Sequence, residues 1–116
     1  MPREFCLATP TPVRLDDVLL AGLDVDVSLE VRTVFAGAAI QLADVEGRAV
    51  ITVEPSRQLA DPVDARRVAP DMTGLPDPLW WTEGCVPWGA VGDDGVLVVR
   101  LLAERLSGAL VLADGS

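Results

Sequence analysis

Hydrophobic and polar positions alternate most cleanly where Val25, Val27, Leu29 and Val31 are separated by Asp26, Ser28, Glu30 and Arg32. A period of two with one apolar face predicts a half-buried strand, extending toward Phe35. Upstream, Leu15, Val18 and Leu19 recur at helical spacing and predict a helix over about Val13 to Ala21. Thr11 and Pro12 resemble an N-cap and a first-position proline, and Gly22 a stop. Glu4–Ala8 reads as a short strand before them. Gly37 breaks the alternating run. Ala38–Ala43 and Arg48–Val53 then predict two further strands, joined by a turn at Glu46-Gly47.

Beyond Pro55 the pattern is lost. Pro55, Pro62, Pro70, Pro76 and Pro78 punctuate a stretch running to residue 79, with Asp61, Asp64, Asp71 and Asp77 between them. A short helix near Val63–Val68 fits within it. So long a connection in a compact domain is usually a binding loop or a lid. A strand then starts at Leu79, with Gly84 as a candidate bulge. Gly89, Gly92 and Gly95 bracket a turn. A helix capped by Asp93 or Asp94 runs to Ser107, with Leu97, Val98, Leu101, Leu102 and Leu106 on its apolar side. Gly108 reads as its terminator and Ala109–Ala113 as a last strand. The order β-α-β-β-β-(long loop)-β-α-β predicts one α+β domain over residues 1–116. Its sheet is mostly antiparallel with two helices on one face, a ferredoxin-like variant.

Composition narrows what such a domain does. The chain of 116 residues is 50% hydrophobic, too apolar for a disordered segment. Its net charge of −9, from 18 acids against 9 bases, argues against nucleic acid and anionic membrane surfaces as partners. Residues 1–12 are short and broken by prolines, unlike a signal peptide, and no apolar run is long enough to span a membrane. A soluble, cytoplasmic protein with reduced thiols is therefore expected. Lys, His, Tyr and Asn are absent and every base is an arginine, as a GC-rich bacterial genome would favour.

These absences close the familiar catalytic routes. Without His there is no usual hydrolytic triad, and without Lys no Schiff base or P-loop. Cys6 and Cys85 are too few for a zinc site, so neither metal nor cofactor is expected. Their simplest reading is a pair of buried structural thiols, with Glu83 raising the pKa of Cys85. A Cys6–Cys85 bridge requires their strands to be neighbours. Asp16-Asp17 and Asp93-Asp94 read as solvated first turns or caps, and Asp24 with Asp26 as the polar face of a strand. Arg66-Arg67 forms a possible clamp on a carboxylate or phosphate, weighed against pairing with Asp61, Asp64 or Asp71. Trp80, Trp81 and Trp88 are the strongest signal. All the tryptophans fall in one segment, and Trp80 and Trp81 face opposite sides of a strand, so one can be core while the other is covered by the 55–79 loop, met by a partner or left exposed.

The sequence therefore reads as a small, acidic, non-enzymatic protein-binding module, of the kind found among immunity proteins, antitoxins and inhibitors. Trp80, Trp81 and Trp88 are its partner-binding residues, and its partner is a more basic protein. One alternative is a small-molecule or carboxylate-based enzymatic domain with a pocket between the sheet and the 55–79 loop. Another is a homo-oligomeric subunit. Apolar residues at both strand parities in Val34–Ile40 and Ala49–Val53 point to a homodimer.

Overall fold

A computed structural model describes residues 3–59 and 79–112. Among these residues, seven strands form one antiparallel sheet, and two helices pack against it. The strands are β1 (Arg3–Thr9), β2 (Glu30–Val34), β3 (Ala39–Ala43), β4 (Ala49–Val53), β5 (Arg57–Leu59), β6 (Leu79–Val86) and β7 (Ala109–Leu112). The helices are α1 (Leu15–Val25) and α2 (Ala90–Arg105). The sheet order is β2-β3-β4-β6-β1-β7. The β2-β3-β4 meander ends before Pro55, and the chain rejoins the sheet as β5, which pairs with the Leu79–Trp81 end of β6. The expected helix at Val63–Val68 lies outside the described residues, as does the rest of the proline-rich stretch from 60 to 78.

The main core lies between the sheet and both helices. Phe5, Leu7, Leu42, Ile51, Val53, Val86 and Leu112 supply the strand side, and Val18, Ala21, Val98, Val99 and Leu102 the helix side. Val50 joins the same core because the β3–β4 register shifts between Leu42 and Ala43, which leaves Val50 as an extra residue.

Two element boundaries differ from the sequence pattern for packing reasons. Helix α1 runs through Gly22 to Val25, and the expected strand over 25–31 shrinks to β2. Gly22 lets α1 sit close to the sheet, since a Cβ there would come within 2.7 Å of Leu42. Beyond Val25, Asp26 accepts the Ser28 amide at 2.9 Å and its hydroxyl at 2.7 Å, which turns the chain. Helix α2 likewise starts before Asp93, at the Gly89 cap. Gly92 and Gly95 are buried helical residues, not turn residues. The start of α1 also moves, from Thr11 to Arg14, whose amide is capped by Asp17 at 3.0 Å. Just before it, the Val13 amide is held by Ser56 Oγ at 2.8 Å, and Ser56 also shares a 2.6 Å hydrogen bond with the buried Thr82 hydroxyl.

Candidate functional site

Strand alternation sends the residues between the core positions to the face without helices. There β1 and β6 pair so that Cys6 stands opposite Glu83 and Glu4 opposite Cys85. On the β4 side, Thr52 stands opposite Cys85. On β3, Gln41 stands opposite Thr52, and on β2 Arg32 stands opposite Gln41. A polar row therefore crosses five strands. Arg32 Nε donates to Gln41 Oε1 at 2.8 Å, and Gln41 Nε2 donates to Thr52 Oγ1 at 3.0 Å.

Beside this row lies a groove of about 500 Å³, lined by Glu4, Cys6, Ala39, Glu54, Glu83 and Cys85 among others, with Phe35 at its edge. Gly84 belongs to its floor. No bulge forms there: Gly84 sits in regular register opposite Phe5 and Val53. It is glycine because a Cβ would lie 2.3 Å from the Thr52 carbonyl and 2.4 Å from the Phe5 ring. The edge of the groove is strained. Phe35 and Ala36, in the β2–β3 turn, take φ of 54° and 55°. Left-handed backbone is unfavourable for residues with a Cβ, and the strain tends to collect where ligands are held. Phe35 is also 77% exposed.

The charges around the groove are unevenly compensated. Glu83 accepts the Trp81 indole N–H at 2.9 Å and lies 3.5 Å from the Arg57 guanidinium. Glu4 and Glu54 make no ion pair among the described residues. Burial pushes the Cys6 thiol up from an ordinary 9.0 to about 11, and Glu83 and Glu4 add to the rise. Burial also raises Cys85. The Thr52 hydroxyl, hydrogen-bonded to it, opposes the rise, and Glu54 and Glu4 reinforce it. Glu83 thus acts on Cys6 across the strands and not on Cys85 along its own. Both thiols are free and half-buried, more open than core cysteines, and both are held protonated at neutral pH. They lie diagonally across neighbouring strands, a spacing wider than a disulfide needs. Among the described residues, no three His, Cys, Asp or Glu side chains gather as metal ligands.

The three tryptophans do not form one surface. Trp81 is buried on the helix-free face, in a small cluster with Ala8 and Leu79. Trp80 faces the helix side and is half-buried. Trp88 is 59% exposed at the corner between β6 and α2, with the Arg3 guanidinium 5.0 Å from its ring. Arg66 and Arg67 lie outside the described residues. The aspartate pairs serve local structure: Asp16 and Asp17 occupy the first turn of α1, and Asp24 pairs with Arg105. Sequence reasoning missed Phe35 and the three-glutamate rim. Glu4, Glu54 and Glu83 are far apart in the chain, and only the β4-β6-β1 order brings them together.

No helix among the described residues is long and apolar enough to cross a membrane. In comparisons with known proteins, the chain matches no family model, no curated protein and no solved structure.

Proposed function

We propose that this chain is a small protein-binding module of the immunity, antitoxin or inhibitor kind, and that the groove on its helix-free face receives a basic segment of a partner protein. The observation that carries this reading is the groove itself. Its floor is largely apolar, and two of its three rim carboxylates, Glu4 and Glu54, make no ion pair among the described residues. An arginine or lysine side chain from a partner matches both features, since its stem covers apolar surface while its head meets the carboxylates. The net charge of −9 speeds the approach of a basic surface. The protonated thiols give the groove no nucleophile at neutral pH, which favours binding over covalent chemistry. The groove also falls within the range of small-molecule sites, so a small organic cation is the second reading.

The test is a nuclear magnetic resonance titration with a short Lys/Leu peptide and, separately, with butylammonium. Peptide binding should shift the amides of Cys6, Ala39, Thr52 and Cys85. The variant Glu4→Gln/Glu54→Gln should weaken it by about tenfold or more, as expected for losing two charged contacts. Saturation by butylammonium as tight as by peptide would favour the small-molecule reading. Peptide shifts confined to other surfaces, or unchanged affinity in a folded double variant, would reject the groove.

A further inference from the structure

β2 ends the sheet, and no described residue pairs with its outer edge. Natural edge strands are kept from pairing by a proline, a bulge, short length or charged side chains, and charges block self-pairing when like charges meet. β2 has neither proline nor bulge, and its charges are one acid and one base, Glu30 and Arg32, both exposed on the helix-free face. Exposed apolar residues flank it: Val27 is 83% exposed before the strand and Phe35 is 77% exposed after it.

We infer that β2 pairs with β2 of a second copy, antiparallel, about a two-fold axis at Val31. A symmetric interface places residue i opposite j and j opposite i. With the axis at Val31, Glu30 of each copy stands opposite Arg32 of the other, and Val31 meets itself on the core side. Val27 and Phe35 are each four residues from Val31, so the Val27 end of one copy meets the Phe35 end of the other. Neighbouring registers fail. An axis at Glu30 or at Arg32 sets like charges directly opposite, which destabilises a strand pair. An axis at Thr33 leaves both charges without opposite partners and Val27 uncovered. One register therefore satisfies charge and apolar cover together. The pairing joins two sheets into one and leaves the groove carboxylates Glu4 and Glu54 outside the contact.

Light scattering of the full chain at about 100 µM, a concentration that populates even weak complexes, should give twice the 12.3 kDa chain mass. Glu30→Arg and Arg32→Glu each set like charges opposite in both symmetric pairs, and each should raise the dissociation constant by about tenfold or more. The double exchange Glu30→Arg/Arg32→Glu restores opposite pairs and should recover the dimer. Val31→Cys, in a Cys6→Ser/Cys85→Ser background, should cross-link on oxidation, since directly opposed strand residues fall within disulfide reach. Circular dichroism confirms that each variant folds. A monomeric wild-type chain, or a folded double exchange that stays monomeric, overturns the inference. The groove variant Glu4→Gln/Glu54→Gln should keep the dimer mass, so the two readings fail separately.

Discussion

Ser107 shows how a single residue can be read from its backbone. It follows α2 with φ of 54°. The Gly108 amide reaches back to the Ala103 carbonyl at 2.8 Å, and the Ser107 amide to Glu104 at 3.2 Å. This is the paired hydrogen bonding of a Schellman ending, with Ser107 in the left-handed position that glycine normally fills. The sequence pattern carries the helix to Ser107 with Gly108 as terminator, but the helix ends at Arg105 and Gly108 serves a different need: a Cβ there would lie 2.6 Å from the Ala8 carbonyl. Ser107→Gly should therefore stabilise the protein by about 0.5–1 kcal/mol, the strain relieved less the added entropy of the unfolded chain. Urea denaturation measures it, and a loss of stability would show that the serine hydroxyl matters more than its backbone. The tryptophans mark the limit of reading at this scale. That Trp80 and Trp81 face opposite sides follows from the strand period. Which one is buried does not, because Leu79, Trp81 and Cys85 read as apolar as Trp80 and Val86.

At the scale of elements, the sequence yields their kinds and order, and misses boundaries where two periods share a residue. Val25 fits the alternation of 25–31, and it also fits the helical series of Val18, Ala21 and Gly22. Packing of α1 on Leu42 decides for the helix. Glycine misleads for the same reason. In a bare sequence it signals a turn, whereas here Gly92 and Gly95 lie on the buried side of α2. A Cβ at Gly95 would come within 2.1 Å of the Val50 carbonyl, at the bulge where β4 carries its extra residue. An exposed helical glycine gains roughly 1 kcal/mol on replacement by alanine. Gly95→Ala should do the reverse and destabilise by about 1–3 kcal/mol, because backbone must move to admit the methyl group. Thermal unfolding decides the sign. A raised midpoint would mean that α2 slides freely over the sheet.

For the whole molecule, the α+β class, the antiparallel sheet and the two helices were legible because they rest on local periodicity. The groove was not, because it depends on β1 pairing with β6, two strands joined by most of the chain. That pairing also gives the molecule an unusual response to alkali. With no Lys, Tyr or His, the side chains that titrate between pH 9 and 11 are Cys6 and Cys85. Folding raises the Cys6 pKa from 9.0 to about 11 and raises that of Cys85 as well. The unfolded chain therefore releases these protons first. Below pH 9 both states are protonated and the stability is complete; as the pH rises toward 11 the unfolded state gains and the stability falls. Urea midpoints under reducing conditions should thus stay level to about pH 9 and drop by pH 11. Cys6→Ser should remove much of that drop, and Cys6→Ser/Cys85→Ser nearly all of it. An equal drop in the double variant would place the alkaline weakness in the backbone and acidic surface, and would mean that the groove holds its thiols in water and not partly out of it.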